Sequence, residues 1–248
     1  MDAGQRRLVM TMPLHAITST YGEDGLRERF AAEIAGFPAA DRAQLNQALD
    51  LVSLLHAADQ RESEPYVNHL LRVAIRIMSH YGIDDTGVVT AALLHDAVED
   101  HAAEIAGQDR DPETEDLRSD AELQRAALAV LSAEFGPRVA DLVGAVTNPP
   151  WAPGRDTHEQ YREHVAQSLR RHPWARVIKA SDFTDNGVGL IHITGPRVGR
   201  LAAKYAPLVP VLRECIQLPG TPLSAAARQH ILSQLDRAAE RFTALLGS

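Results

Sequence analysis

A chain of 248 residues, 45% of them hydrophobic, is long enough for one sizeable core with helical additions at its ends. Its formal net charge of −8 is opposite to that of a general nucleic-acid binder, so a phosphorylated ligand would need a local cation, either a metal ion or placed Arg and Lys side chains. A single cysteine, Cys215, excludes an internal disulfide and a cysteine-based zinc site, and no apolar run approaches the ~20 residues that span a bilayer.

Residues 1–23 show no clear period and read as an irregular lead-in. Arg6-Arg7 before Leu8 to Met12 has the outline of a signal peptide, but Pro13 cuts the run short, so cytoplasmic location is the expectation. From Asp24 the apolar residues recur at three and four. Phe30, Ile34 and Phe37 predict a short helix, and Leu45, Ala48, Leu49, Val52 and Leu55 a second, with Asp41 as its N-cap. After a polar break from Asp59 to Pro65, a third helix runs from His69 to about His80, and Gly82 ends it. Asp85 caps a fourth, whose Val88, Val89, Ala91, Ala92, Leu93 and Leu94 are apolar nearly all round, the pattern of a buried central helix.

Residues 101–119 read as a solvated acidic insertion. Helices are predicted at 120–135 and 137–147, divided by Gly136-Pro137, then at 157–171, 175–186 and 196–216, with a last one starting at Ser224. No strand-like alternation of useful length occurs, and aromatics make up only 5% of the chain. The fold class is therefore all-α, a single-domain helical bundle. Cys215, in a partly apolar run, is expected to be a buried, inert thiol.

His95-Asp96 closes the apolar run Thr90 to Leu94. An imidazole and a carboxylate at the end of a buried helix are costly unless partnered. Glu99 and Asp100 follow within a turn, and three carboxylates that close together repel one another and call for a cation, although acidic groups at a helix end are also often merely solvated. His69 starts its own amphipathic helix, and Asp182 ends the apolar stretch Val177 to Ala180. Two imidazoles and two carboxylates suit Mn²⁺, Fe²⁺, Zn²⁺ or Mg²⁺, in that order, with positions left for water and a phosphate oxygen.

Four ordered blocks carry a family resemblance. They are Arg61-Glu62-Ser63-Glu64-Pro65-Tyr66-Val67-Asn68-His69, then Ala91-Ala92-Leu93-Leu94-His95-Asp96-Ala97-Val98-Glu99-Asp100, then Phe135-Gly136 through Leu142-Val143 to Val146-Thr147, and Val177-Ile178-Lys179-Ala180-Ser181-Asp182 with Asn186. Across roughly residues 50 to 190 the chain resembles the hydrolase domain of the Rel/Spo alarmone enzymes, especially their small stand-alone relatives. These HD proteins remove the 3′-pyrophosphate from (p)ppGpp. The resemblance implies an HD-type bundle with its phosphohydrolase core at 24–195 and C-terminal helices, 196–248, packed on it. It implies Mn²⁺, held by His69, His95, Asp96 and Asp182. Glu99 and Asp100 would orient and activate the attacking water. Arg61 and Lys179 would hold the nucleotide or its phosphates, and Asn186 its sugar or base side.

The chain departs from the family pattern at several places. Leu70 stands where the family has Pro, one residue is missing between Ser63 and Glu64, Ser181 replaces a small Ala, and Gly187-Val188-Gly189 follows Asn186 where an Arg and a polar side chain are usual. All four metal ligands survive these changes; substrate choice is what they touch. A related phosphohydrolase for another phosphorylated nucleotide or cofactor is the alternative enzyme, and a catalytically silent nucleotide-binding regulator the alternative outside enzymes. The partner in each case is a small phosphorylated nucleotide, with no membrane and no general nucleic-acid binding, and homo-oligomerisation is left open. His56, His80 and His101 read as surface or cap histidines. Lys179 could serve instead as an ion-pair partner of Asp182 or Asp185, and Trp151 and Trp174 as packing residues.

Overall fold

The computed structural model describes residues 1–61, 64–107, 119–192, 195 and 197–247. Glu62, Ser63 and most of the 101–119 insertion lie outside the described residues. The helices in chain order are α1 (Ala3–Val9), α2 (Leu14–Ile34), α3 (Ala39–Leu55), α4 (Val67–Ser79), α5 (Thr86–Leu93), α6 (Ala97–Ile105) and α7 (Asp120–Phe135). They continue with α8 (Pro137–Val146), α9 (Thr157–Arg171), α10 (Pro173–Asn186), α11 (Arg197–Tyr205), α12 (Leu208–Gln217) and α13 (Ala225–Leu246). Among the described residues the only strands are β1 (Gln60–Arg61) and β2 (Glu64–Pro65), antiparallel, with Arg61 opposite Glu64. The all-α expectation holds. No helix among the described residues is long and apolar enough to cross a membrane.

The centre of the bundle is α5, as its composition predicts. Val88, Val89, Ala91, Ala92 and Leu93 are fully buried, between α3, α4 and α8. Each fully buried aliphatic side chain of Val or Leu size contributes about 1.5–3 kcal/mol, so the helix that ends at the His-Asp pair is firmly anchored. Its start is fixed by Asp85, whose side chain accepts from Val88 N–H at 3.1 Å. On α4 the apolar Leu70, Leu71, Val73, Ala74 and Ile77 are buried together with His69, Arg72 and Arg76, because those polar side chains face α10 rather than solvent. Ser181, the departure from Ala, ties the two helices together: its Oγ donates to Val73 O at 2.8 Å, and Arg76 donates to Ser181 O at 3.0 Å.

Three expectations need correction. Residues 1–23 are helical, not an irregular lead-in. Asp2 and Gln5 form a reciprocal capping box for α1, and α2 starts directly after Pro13. The period was hidden because Gly22, at φ 61°, breaks α2 into two segments out of phase with each other. Val9, Leu14 and Ile17 are buried, so this segment is part of the core. The helix assigned to 196–216 is two helices, α11 and α12, parted at Pro207, which has no N–H with which to continue α11. Asp41 lies in the first turn of α3 rather than at its N-cap, which is Pro38. Ser224 caps α13 as expected, accepting from Ala227 N–H at 3.1 Å, and Cys215 is buried.

Candidate active site

Three helices deliver four side chains to one point. His69 sits in the first turn of α4, His95 and Asp96 fill the junction between α5 and α6, and Asp182 lies one turn before the end of α10. The Nε2 atoms of His69 and His95 are 3.3 Å apart. Asp96 Oδ2 lies 3.6 Å from the first and 3.1 Å from the second, and Asp182 Oδ1 lies 3.5 and 3.8 Å from them. The sequence-predicted ligand set therefore converges in space.

The outer nitrogens decide what faces inward. His95 Nδ1 is 2.8 Å from the carbonyl of Ala92, and His69 Nδ1 is 2.9 Å from Asp185 Oδ2. Both partners only accept, so each Nδ1 carries a proton and each Nε2 offers a lone pair to the centre. Two lone pairs and two carboxylates aimed at one point demand positive charge there. Burial alone would lower the His95 imidazole, but Asp96 and Asp182 outweigh it and push it up to about 10. Burial alone would raise Asp96 and Asp182; the imidazoles, and Lys179 for Asp182, instead hold both well below the usual carboxylate range. The separations among His69, His95 and Asp96, 3.1–3.6 Å, match those around a divalent ion, since ligand atoms ~2.0–2.2 Å from a metal lie roughly 3.0–3.6 Å from one another, and Asp182 approaches the two imidazoles at 3.5 and 3.8 Å. The residues present fit a divalent metal ion.

A polar frame holds these side chains. Tyr66 Oη donates to Asp96 Oδ2 at 2.7 Å, and Lys179 Nζ donates to Asp182 Oδ2 at 2.8 Å. Asn186 Nδ2 donates to Asp182 Oδ1, and Arg61 donates to Asn186 Oδ1. Arg61 and Asn186 line a cavity of about 560 Å³ beside the ligands. His15, Thr18 and Ser19 of α2 line it too, as do Arg197, Leu201 and Tyr205 of α11, so helices on either side of the motif blocks in sequence help to form its wall. Lys179 is buried against Asp182 and is not among the residues lining that cavity.

Asp100 lies one turn beyond Asp96, its N–H donating to Asp96 O at 2.9 Å. Desolvation, together with the charges of Asp96 and Glu99, pushes its carboxyl up to about 6. Glu99 is held by Asn148, whose Nδ2 donates to both of its oxygens at 2.9 Å. Of the histidines read as surface or cap residues, His80 and His56 are the C-caps of α4 and α3, as read; the reading fails for His101, which lies inside α6. His56 is buried and His101 half-buried, and with Asp59 they form a second polar cluster. Trp151 and Trp174 pack, partly buried, against the core.

Comparison with known proteins finds no matching family model. The mouse (Mus musculus) protein MESH1, a guanosine-3′,5′-bis(diphosphate) 3′-pyrophosphohydrolase, is 33% identical over 147 residues, covering 58% of this chain and 67% of the relative. MESH1 of Xenopus tropicalis is 37% identical over the same length. This chain belongs to the MESH1 family. A bifunctional (p)ppGpp synthase/hydrolase RelA of Mycobacterium tuberculosis is 45% identical over 65 residues, only 8% of its own length. A solved structure of a metazoan SpoT orthologue that hydrolyses ppGpp matches with a TM-score of 0.57 at 25% identity, over 84% of this chain and 98% of that one.

In this MESH1-family chain, four polar residues at the centre were not read as site residues in the sequence, Asp185 entering only as a possible ion-pair partner of Lys179, which pairs with Asp182 instead. Asp185 accepts from Arg72 Nε and Nη2, both at 2.9 Å, from Arg76 Nη2 at 3.0 Å, and from the His69 ring. Tyr66 completes the set. The available signal was spacing: Arg72 and Arg76 fall three and seven residues after His69, and Asp185 three after Asp182, so each pair of positions shares a helix face with a ligand. Histidine ligands regularly need such partners to fix the ring.

Proposed function

We propose that this MESH1-family enzyme hydrolyses the 3′-pyrophosphate of (p)ppGpp, giving GDP or GTP and pyrophosphate, with Mn²⁺ held by His69, His95, Asp96 and Asp182. The observation that supports it best is the convergence of two imidazole lone pairs and two carboxylates beside a cavity walled by Arg61 and Asn186. When bound, the ion lowers the pKa of water and neutralises phosphate charge.

The chain supplies the rest. Asp185 and the Ala92 carbonyl fix the two rings. Asp100, poised near neutrality and backed by Glu99, takes the proton of the attacking water. The water oxygen bonds to the phosphorus attached at the 3′ position, the bond from that phosphorus to the 3′ oxygen breaks, and a proton ends on the 3′ oxygen. Arg61 and Asn186 hold the nucleotide in the cavity. Lys179, already paired with Asp182, adds positive charge as the phosphates arrive. The HD core assigned to 24–195 is extended by the buried segment before it, α11 closes one wall of the cavity, and such a substrate goes with a cytoplasmic location.

A second reading, hydrolysis of another phosphorylated nucleotide, is favoured by Gly189, which lines the cavity without a side chain to meet the base or sugar. Incubation with Mn²⁺ and ppGpp, with Asp96→Ala as control, tests the choice. GDP and pyrophosphate from the native chain alone support the alarmone. No turnover of ppGpp, with turnover of another member of a phosphorylated-nucleotide panel, moves the assignment to the second reading.

A further inference from the structure

His56, Asp59 and His101 stand apart from the ligand set and have no part in the reaction above. His56 closes α3, Asp59 follows it in the turn before β1, and His101 lies on α6 where the backbone leaves helical geometry (φ −133°, ψ 32°). That departure carries the imidazole to the turn. His56 Nδ1 and His101 Nε2 each lie 2.8 Å from Asp59 Oδ2, and 3.3 Å from each other. The turn is braced: Asp59 N–H donates to His56 O at 3.0 Å, and Tyr66 N–H to Asp59 O at 3.1 Å. From these contacts we infer that His56, Asp59 and His101 form a second divalent-cation site, suited to Zn²⁺.

Ligand chemistry and spacing support the inference. Two imidazoles and a carboxylate, with a side open for water, are the donors Zn²⁺ takes at ~2.0–2.2 Å, which puts neighbouring ligand atoms roughly 3.3–3.6 Å apart. The two imidazole nitrogens already have that spacing. Asp59 must retreat by about half an ångström, and its side chain, 38% exposed, has room to turn. The open side also gives the ion a way in, since His56 is fully enclosed and His101 nearly so.

The competing arrangement is a proton-only triad, in which both rings donate to the same Asp59 oxygen. His101 discriminates between the two. Glu104 Oε1 lies 3.7 Å from His101 Nδ1. In the proton-only triad with neutral rings that nitrogen turns a lone pair towards the carboxylate. With a cation at the centre, Nδ1 carries the proton and faces the Glu104 carboxylate favourably, at charge-pair rather than hydrogen-bond distance. His56 Nε2 is buried without a partner and is equally ill-served in both states.

The site has a consequence for the catalytic helix. His101 is the residue after Asp100, so a bound ion clips α6 to the α3–β1 turn and fixes the backbone that carries Glu99 and Asp100. The same cluster touches the first centre through Tyr66, whose ring stacks on His56 at 4.5 Å and whose hydroxyl holds Asp96.

Zn²⁺ titration of the chelator-stripped full chain against a chromophoric competitor tests this, with Co²⁺ absorption as a second readout. The native chain is expected to take two equivalents, and His101→Ala and Asp59→Asn one each. His69→Ala, which damages the first centre, should keep the equivalent that His101→Ala loses, and its Co²⁺ spectrum. Circular dichroism checks each fold, and Asp59→Asn, altering a partly exposed carboxylate, decides the matter if another variant fails to fold. Two equivalents retained in Asp59→Asn, or a native chain that takes only one ion and loses it in His69→Ala, overturns the inference.

Discussion

Asp185 Oδ2 lies 2.9 Å from Nδ1 of His69, and that contact sets which nitrogen of the imidazole faces the proposed metal centre. The same carboxylate pairs with Arg76 and, together with Glu64, with Arg72, so it is at once a ring orienter and a counter-charge to buried cations. Asp185→Asn should therefore lower Mn²⁺ affinity by about 10- to 100-fold. It should also cost about 3–5 kcal/mol of stability, the usual loss when one partner of a buried ion pair is removed. Metal titration and denaturant unfolding check the two halves separately. Unchanged metal affinity would reduce Asp185 to a packing residue.

Metal removal should be visible in stability without any substrate. Two buried carboxylates and two imidazoles turned to one point call for positive charge there, and an ion present at 100 times its Kd stabilises the native state by about 2.7 kcal/mol. Adding Mn²⁺ to the stripped protein should raise its melting temperature, and excess chelator should reverse the rise. Asp182→Ala should respond far less. An equal response in that variant would mean that the stabilising ion binds elsewhere.

The two ends of the site were not equally legible in the sequence. His95-Asp96 and Asp182 could be read because each interrupts an apolar run that has no other reason to end in charge. Asp185, Arg72 and Arg76 could not, because charges at helical spacing look alike whether they face water or one another. Only the packing of α4 on α10 turns them inward. The helix over residues 14–34 was masked by the phase break at Gly22. His56 and His101 are 45 residues apart in sequence and meet where α6 departs from helical geometry, which no periodicity reports.

Asn186 links the ligand set to the cavity, donating to Asp182 and accepting from Arg61. Its two neighbours should therefore separate under mutation. Asn186→Asp places a second carboxylate against Asp182 and should weaken Mn²⁺ binding, because the donor is lost and like charges oppose each other. Arg61→Ala leaves the ligand set intact. It should instead raise KM for the nucleotide by roughly 10- to 100-fold, the value of one charged hydrogen bond of about 1.5–3 kcal/mol. Steady-state kinetics at saturating Mn²⁺, beside a direct metal titration, distinguishes the two. Loss of metal affinity in Arg61→Ala would place that guanidinium in the metal frame rather than in substrate binding.

Asp85 gives the prediction with a defined pH sign. Its carboxylate caps α5 at Val88 and pairs with Arg138, whose guanidinium donates at 2.7 and 2.8 Å, and this pairing holds its carboxyl below the usual value. A group whose pKa is lower in the folded state stabilises the fold above its unfolded pKa of ~3.9 and loses that contribution as pH falls through the folded value. Asp85→Ala should cost about 0.5–2 kcal/mol at neutral pH, the range for loss of an N-cap. Asp85→Asn can keep the cap while losing the charge, so at neutral pH it should fall between the native chain and Asp85→Ala. Denaturant unfolding from pH 7 to 3 should show the native chain converging on Asp85→Asn as the carboxylate protonates. A gap that stays constant over that range would mean that Arg138 adds nothing to the cap. Since α5 runs from its cap Asp85 to Leu93, two residues before His95, Asp85→Ala should also lower Mn²⁺ affinity, although the substitution lies at the far end of the helix from the proposed metal site.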